Sequence, residues 1–425
     1  MKKHIFGTLI VLIVSLAFAL KVEAKEYYVS NTGSDTAVGT ISAPFKTISY
    51  GISKLVAGDT LYVRAGNYPG FSAKKSGTAT MPITIAGYNN EYPKITGGNP
   101  VKTYQLSYIV IKGFDISGAT TASGIRIDQG GNITIQNNRV HDNYGSGVNG
   151  IMILNSPNNK IINNTVYSNT TSGIRTYGSP STGNEVAYNT VYNHTLSAGN
   201  SDGINCQGAN KLSIHHNTVY GNSDDGIDVW SCTYNTVSYN TVSKNGGTGD
   251  GNGIKLGGSP TGGFNTVIGN VSYSNVTSGF TSNGSGGNKY FNNVAYNNGK
   301  DGYSDSWRTT NITSKSTFIN NIGVNNTRSD VSMNSDYTGV SHNNFWGRPM
   351  WSSTVYTLAQ FYAKSGLDNP NAGALSSYTG SVDFVNASGG DFHLVAGSPL
   401  INKGDLANPG DIKAIGIPDI GAFEQ

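Results

Sequence analysis

The chain has 425 residues and a formal net charge of +3, and only 12% of its residues are charged. Its charges form no basic stripe of the kind that binds nucleic acid, so we expect no nucleic-acid partner. The 56 glycines would suggest disorder if they were scattered, but they recur at fixed places among apolar residues, which predicts one folded domain.

The first 24 residues have the features of a secretory signal. Two lysines, Lys2 and Lys3, precede an apolar run from Ile5 to Leu20, and a small-x-small pattern ends at Ala24. Such a segment is removed after export. The apolar run is short for a membrane anchor. We therefore expect a secreted protein that has no membrane attachment once residues 1–24 are cleaved.

Residues 25–104 are predicted to form a cap and the first coils of a repetitive fold. Apolar residues have helical spacing over 45–55, at Ile48, Ile52 and Leu55. Gly58 and Asp59 end this pattern before an apolar strand at residues 60–63. Because the open end of a stack of strands must be covered, we expect a capping helix here.

Residues 105–345 contain a repeat with two recurring phrases. One phrase carries a glycine followed by alternating apolar residues, as in SGIRIDQG and DGIDVWSC. The other carries an asparagine, as in IINNTVYSN, and these asparagines lie 23 to 30 residues apart. This period is typical of stacked coils, so the fold class is predicted to be an all-β solenoid. The repeat asparagines are Asn138, Asn164, Asn189, Asn217, Asn240, Asn270, Asn293 and Asn321.

The alternation of residues around each repeat glycine predicts which side chains point inward. Positions one and three after the glycine are mostly apolar, beginning with Ile125 and Ile127. A second inward column lies three residues before each asparagine, beginning with Ile135. The asparagines themselves should form a hydrogen-bonded ladder at a turn.

The two cysteines lie on successive repeats but in different columns. Cys206 is in the inward column with Val229 and Leu256, whereas Cys232 is not. We therefore expect Cys206 to be a core residue and not half of a disulfide. Beyond residue 345 the repeat dissolves, and residues 346–425 are predicted to be final coils and a closing segment, with a short helix over 351–366.

The side chain two residues after each repeat glycine should point outward. Charged residues are concentrated at this position and just before the glycines. Asp228 and Lys255 occupy this column on adjacent repeats, and Asp202, Asp224 and Asp225 lie just before two of the glycines. Four carboxylates this close repel one another unless a cation neutralises them. Oxygen ligands at irregular positions favour Ca2+, and zinc is disfavoured because no histidine or cysteine joins the set. We predict a calcium site formed by Asp202, Asp224, Asp225 and Asp228.

Lys255 is the candidate general base. A lysine beside a bound cation is pushed towards its neutral form, which can accept a proton. Arg175 and Arg126 share its outward column and could pair with sugar carboxylates. Asn205 in the same column and Trp230 at the end of its strand are further candidates for substrate binding.

The segments SDGINCQG, NSDDGIDVWS and GNGIKLGG together resemble the calcium site and base of right-handed parallel β-helix pectate lyases, in particular polysaccharide lyase family nine. The likeness covers most of the mature chain, including YYVSNTGSD and APFKTI near its start. It implies a right-handed parallel β-helix, with Asp202, Asp224, Asp225 and Asp228 as calcium ligands and Lys255 as the Brønsted base.

The same resemblance implies an acidic polysaccharide as the substrate, with pectate, or polygalacturonate, favoured. Lys255 would remove the C5 proton of a uronate and the glycosidic bond at C4 would break by β-elimination. Calcium would stabilise the charge that develops on the carboxylate. Since free lysine titrates near ~10.4, we expect an alkaline optimum. We also expect the protein to act as a monomer.

Three other functions are compatible with these residues. A polygalacturonase-like hydrolase also uses aspartates on neighbouring coils, but it would leave Asp228 and Lys255 without a role and its usual histidine and Arg-x-Lys companions are missing from the matching places. A noncatalytic carbohydrate-binding solenoid would use calcium only for structure. A C5-epimerase would begin with the same proton removal and keep the polymer length.

Overall fold

The computed structural model describes residues 23–195, 200–258, 263–305, 316–334, 339–342, 344–367, 382–404 and 419–423. Most of the predicted signal segment, residues 1–22, lies outside this part of the chain, as do residues 368–381, 405–418 and 424–425 of the predicted final coils and closing segment. Among the described residues no helix is long and apolar enough to cross a membrane.

The described chain winds through three parallel sheets, so that each regular coil contributes one strand to each sheet. Sheet I has thirteen strands, all paired in parallel between neighbouring coils. Its strands are Glu26–Val29, Thr60–Val63, Ile83–Gly87, Ile109–Lys112, Thr134–Gln136, Lys160–Ile162, Glu185–Ala187, Ser213–His215, Thr236–Ser238, Thr266–Ile268, Lys289–Phe291, Thr317–Ile319 and Val340–His342.

Sheets II and III share their first two strands, Asn67–Ser72 and Lys94–Tyr104, each of which runs along both. Sheet II continues with Asp115–Ser117, Arg139–His141, Thr165–Tyr167, Thr190–Tyr192, Thr218–Tyr220, Thr241–Ser243, Val271–Tyr273, Val294–Tyr296, Ile322–Val324 and Phe345–Trp346. Sheet III continues with Ile125–Asp128, Ile151–Leu154, Ile174–Tyr177, Ile204–Gln207, Ile227–Trp230, Ile254–Gly257, Phe280–Asn283, Asp301–Ser304, Ser329–Met333 and Pro349–Trp351.

The core is a set of apolar columns that run along the solenoid. The columns predicted from Ile125, Ile127 and Ile135 are buried, as expected from the alternation of side chains in a strand. A third column, formed by sheet II valines such as Val166, is also fully buried and was not predicted. Each coil therefore buries side chains from three sheets.

The predicted asparagine ladder is confirmed. The side-chain amide of Asn138 donates to Oδ1 of Asn164 at 3.1 Å, and the same bond repeats from coil to coil as far as Asn344. A second, unpredicted ladder runs parallel to it, and His194 replaces asparagine at one of its rungs. These ladders satisfy buried backbone groups at the turns.

The N-terminal helix is Ile48–Lys54, within the predicted range 45–55. The side chain of Thr47 accepts a hydrogen bond from the backbone N–H of Tyr50 and so caps its first turn. A C-terminal helix, Leu358–Ser365, has a capping box formed by Thr357 and Gln360. Residues 351–355 of the helix predicted over 351–366 belong instead to a hairpin, in which Thr354–Val355 is antiparallel to Pro349–Trp351 and residues 352–353 form the turn.

Short elements complete the described chain. They are the 3-10 helices Tyr88–Asn90 and Ala387–Gly389 and the antiparallel strands Phe384–Asn386 and Asp391–Leu394.

Cys206 and Cys232 form a disulfide, so the expectation that they stay unpaired was wrong. Their Cα atoms lie 6.5 Å apart, within reach of a bridge. The alternation of side chains would have placed Cys232 outward, but Ser231 has a left-handed backbone with φ of 54°. This turn directs Cys232 into the core, where it meets Cys206 from the preceding coil.

Candidate active site

The candidate site lies on the outer face of sheet III, where three neighbouring strands bring polar residues into one column. Asn205 pairs with Asp228, and Asp228 pairs with Lys255, in the parallel register. The column predicted from the sequence is therefore a physical column, with neighbours about 4.8 Å apart.

The remaining aspartates come from the turns that lead into these strands. Asp202 precedes the strand Ile204–Gln207, and Asp225 precedes Ile227–Trp230. The chain enters each strand through a glycine in close contact with the core: a Cβ on Gly226 would lie 2.3 Å from Cγ1 of Val242. Glycine at this point lets Asp225 sit at the edge of the sheet beside the Asp228 column.

Three of the four predicted metal ligands converge. Carboxylate oxygens of Asp202, Asp225 and Asp228 all lie within 4.8 Å of one another, and all three residues are buried. The side-chain amide of Asn205 donates to Oδ2 of Asp202 at 3.0 Å. We call these three aspartates the carboxylate cluster.

Burial changes the acidity of the carboxylate cluster. Burial, together with the charges of Asp225 and Asp224, raises the pKa of Asp202 well above its ordinary value. Burial and the charge of Asp202 raise the pKa of Asp228 in the same way. Burial also raises the pKa of Asp225 to about 6, although the charge of Lys255 opposes this shift. Ionisation of all three carboxylates together is therefore unfavourable unless a cation compensates their negative charge.

The cluster fits a hard divalent cation. Oδ1 of Asp228 and Oδ1 of Asn205 are buried and have no hydrogen-bond partner within the described chain. Buried acceptors without a donor are rare, and oxygen ligands are those that Ca2+ prefers. The chemistry of the cluster thus suits calcium better than zinc.

Asp224 is placed differently from the other three aspartates. It lines the same cleft, but it is not part of the group whose oxygens converge. Its Oδ1 accepts a hydrogen bond from the backbone N–H of Asp250 at 2.6 Å. Asp224 therefore also fixes the loop that follows it in the next coil.

Lys255 lies between two carboxylates. Its Nζ atom donates to Oδ2 of Asp225 at 3.0 Å and to Oδ2 of Asp250 at 2.7 Å. Burial of the side chain lowers its pKa, but the charges of Asp228 and Asp225 outweigh burial and raise the pKa above its ordinary value. In this arrangement Lys255 is a cation that bridges Asp225 of the carboxylate cluster and Asp250.

Asp250 and Asn252 were missed by the sequence analysis. Asn252 donates both its backbone N–H and its side-chain amide to Oδ1 of Asp225, at 2.8 and 2.9 Å, and so orients that carboxylate. Asp250 lies in the loop before the strand Ile254–Gly257, where the alternation of strand residues gives no direction for a side chain. The only signal was its position five residues before Lys255.

A cleft of about 490 Å³ lies above the column. Three predicted substrate-binding residues, Arg175, Asn205 and Trp230, line it. The indole of Trp230 lies beneath Lys255, whose Nζ atom is 5.4 Å from the ring centroid, and Nη2 of Arg175 donates to Gln207. Arg126 does not line the cleft. It lies two coils from Arg175 in the same outward column, and its guanidinium pairs with the Asp128 carboxylate at 3.0 Å.

Comparison with known proteins relates this chain to a family of β-helical enzymes. Residues 27–344 match the family model described as Pel9A-like, right handed beta helix region. Pectate lyase PEL9 of Emericella nidulans is 28% identical over 76% of this chain and 83% of its own length. Pectate lyase L of Paenibacillus polymyxa is 26% identical over 83% of this chain and 78% of its own.

One solved structure shares the fold over almost the whole chain. The crystal structure of pectate lyase Pel9A matches with a TM-score of 0.64 and 20% identity, covering 95% of this chain and 98% of that one. At this identity the likeness concerns the fold, and it agrees with the three parallel sheets described above.

Proposed function

Because this chain belongs to the Pel9A-like right-handed β-helix family, we propose that it is a secreted, calcium-dependent polysaccharide lyase that cleaves pectate by β-elimination. Its relatives in Emericella nidulans and Paenibacillus polymyxa are named pectate lyases. The observation that carries the proposal is the convergence of three buried carboxylates with one lysine in adjacent coils.

Asp202, Asp225 and Asp228 would hold the calcium ion, with Asp224 beside them on the cleft wall. When bound, the ion would offset the carboxylate charges that raise the pKa of Lys255 and would stabilise negative charge developing on the uronate carboxylate. Asn205 and Asn252 orient two of the ligands through the hydrogen bonds described above.

Lys255 is the proposed base. Its Nζ atom, in the neutral form, takes the proton from C5 of the uronate. The electron pair of that C–H bond forms the C4–C5 double bond, and the C4–oxygen bond to the next sugar breaks. The leaving oxygen takes a proton from solvent, so no water is added and the product is unsaturated. Arg175 lines the cleft and would pair with a neighbouring sugar carboxylate.

The test is cleavage of polygalacturonate by the purified protein, followed by the ultraviolet absorbance of the unsaturated product. We expect absorbance that requires calcium, disappears with a chelator, and is lost in Lys255→Ala. Lys255→Arg is the matched variant, because it keeps a cation beside Asp225 and Asp250 but is not deprotonated. New reducing ends without absorbance would indicate hydrolysis and would overturn the lyase.

A further inference from the structure

We propose that a pocket at the edge of sheet I is a second, noncatalytic sugar site, which takes a uronate residue of an acidic polysaccharide. The pocket has a volume of about 310 Å³, and its lining includes Tyr234, Phe264, Thr236, Thr266, Gly287 and Lys289. It shares no lining residue with the cleft above Lys255. The identity of the polysaccharide rests on the proposed function.

Two exposed aromatic rings line the pocket. Tyr234 and Phe264 occupy the same place in successive turns, because the residues before them, Thr233 and Gly263, are bridged in parallel. Their rings are nearly parallel, at 13°, and their centroids are 5.4 Å apart. The two residues remain 60% and 47% exposed, so packing within the protein does not account for them. An exposed aromatic ring offers an apolar surface to the C–H face of a sugar.

The stack of rings ends at a glycine. Gly287 takes the place of Phe264 in the next coil, because the preceding residues, Gly263 and Gly286, are bridged in parallel. Its φ of 69° is left-handed, as are those of Phe264 and Tyr234. A Cβ at residue 287 would lie 2.7 Å from Cδ1 of Phe264, so any larger side chain would push against the ring. Glycine leaves this place without a side chain, and a sugar can continue the stack there.

A cation lies on the same coil as Gly287. Lys289 follows Thr266 in the parallel register of sheet I, one step of about 4.8 Å further along the axis. Its side chain is exposed and has no ion-pair partner within the described chain. Its two register neighbours, Thr266 and Thr317, are uncharged, and no lining residue of the pocket is acidic. Lys289 is therefore available to a carboxylate.

Hydroxyl groups complete the pocket. Thr236 and Thr266 pair in the register of sheet I, and each hydroxyl can donate and accept a hydrogen bond. Rings, hydroxyls and a cation together suit a uronate, which has an apolar C–H face, ring hydroxyls and a carboxylate. A neutral sugar would leave Lys289 without a role, and an apolar peptide would leave both the lysine and the threonines without one.

The position of the pocket predicts its effect. Tyr234 follows Trp230, a residue of the cleft, by four positions, so their Cα atoms are at most ~14 Å apart. A polysaccharide held in the pocket keeps further uronates near the cleft without occupying it, which raises their effective concentration there. Because no carboxylate lines the pocket, binding in it should not require calcium.

The experiment measures binding to polygalacturonate by affinity electrophoresis in the presence of a chelator. All proteins carry Lys255→Ala, so that the polymer in the gel is not cleaved. Phe264→Ala with Lys289→Ala is compared with Tyr188→Ala with Lys244→Ala. The second pair is the matched control, because it removes an exposed ring and an exposed lysine from turns outside the pocket. Fully methyl-esterified pectin is the uncharged probe, and thermal unfolding checks that each variant is folded.

We expect Phe264→Ala with Lys289→Ala to raise the Kd for polygalacturonate about fivefold, because a ring contact and a charge are both lost. The control pair should keep the parent Kd. Lys289→Gln alone should weaken binding to polygalacturonate and leave binding to esterified pectin unchanged.

An unchanged Kd in the pocket pair, or an equal rise in the control pair, would overturn the site. Equal losses on both polymers in Lys289→Gln would overturn the assignment of a uronate. If binding depends on Phe264 and Lys289 but the protein without Lys255→Ala forms no unsaturated product, the pocket is supported and the lyase is overturned. The two failures are therefore distinguishable.

Discussion

The Nζ atom of Lys255 lies 3.0 Å from Oδ2 of Asp225. The proposed base and a proposed calcium ligand therefore share a hydrogen bond. A change in the charge of the carboxylate cluster therefore changes the electrostatic energy of protonated Lys255. The effect is strong because Lys255 and Asp225 are both buried, where charge is poorly screened. This contact links metal binding to the protonation of the base.

The first prediction concerns the base itself. Lys255→Ala should lower kcat on polygalacturonate by about a thousandfold, since a positioned general base contributes about 10² to 10⁴. Lys255→Arg should be similarly inactive although it preserves the positive charge. Activity of the wild type should rise from neutral to alkaline pH, because Lys255 must lose a proton to act. If Lys255→Ala retained a tenth of the wild-type kcat, the assignment of Lys255 as the general base would be wrong.

The second prediction concerns Asp250, which holds Nζ of Lys255 at 2.7 Å from a loop. Asp250→Asn removes the charge but leaves the backbone hydrogen bond to Asp224. We expect kcat to fall by about threefold with a smaller change in KM, a modest effect because the Asp250 side chain is 60% exposed. Asp250→Glu is the control and should retain most of kcat. A change confined to KM would contradict a role in positioning the base.

The third prediction concerns calcium and pH. The pKa of Asp225 is about 6 in the folded protein against an ordinary value of 3.8. Its stabilising contribution is therefore fully present below pH 3.8 and is lost as the pH rises through about 6. Asp202 and Asp228 shift in the same direction. The metal-free protein should lose their contribution at neutral pH, where calcium can restore stability.

The measurement is the calcium-induced rise in Tm at pH 5 and at pH 8. The rise should be larger at pH 8, because protons compete with the cation for the cluster. At a free calcium concentration about a hundred times Kd, binding raises the free energy of unfolding by about 2.7 kcal/mol. Asp228→Asn should abolish most of it, whereas Asp128→Asn, on the same face but outside the cluster, should not. Equal rises in both variants would refute the site.

The repeat made much of this fold predictable from the sequence. The inward columns and the asparagine ladder follow from a fixed period, and the family match confirms the predicted right-handed parallel β-helix. The third column, with Val166 as an example, was missed because a strand of three residues, Thr165–Tyr167, has too little alternation to be recognised.

The site was predictable where it lies on the strands of sheet III or directly before them, as Asp202 and Asp225 do. Asp228 and Lys255 follow the register of sheet III, so their proximity could be derived. Asp224 and Asp250 lie in turns, where side-chain direction depends on backbone dihedral angles that the repeat does not determine. The inward direction of the Cys232 side chain was missed for the same reason. It depends on the left-handed backbone of Ser231, which directs Cys232 into the core.

The fourth prediction concerns this disulfide. It joins the strand Ile204–Gln207, which follows Asp202, to the turn after Trp230, and its cysteines are 26 residues apart. Cys206→Ser with Cys232→Ser should lower the free energy of unfolding by about 2 to 4 kcal/mol. Chemical denaturation measures this loss, and mass spectrometry of alkylated protein tests whether free thiols exist. Two reactive thiols in the unfolded, unreduced wild type would show that the bridge is not formed.

The fifth prediction concerns His194, the one histidine in the second ladder. Its Nδ1 accepts a hydrogen bond from the backbone N–H of Asn169 at 3.1 Å, while its own backbone N–H donates to Asn222. Burial lowers its pKa from 6.5 to about 4, so the ring is neutral in the folded protein. Its contribution to stability is present above pH 6.5 and is lost as the pH falls through about 4.

The displacement of the His194 pKa corresponds to about 3 kcal/mol between neutral and acidic pH. Asn at this rung can accept the same backbone hydrogen bond and does not titrate, as the neighbouring Asn169 and Asn222 show. His194→Asn should therefore lose less stability than the wild type between pH 7 and pH 4, as measured by denaturant unfolding. His216→Asn is the control, because His216 is exposed on a turn outside this ladder. Parallel pH dependences of the wild type and His194→Asn would show that protonation of this buried ring does not limit the acid stability of the solenoid.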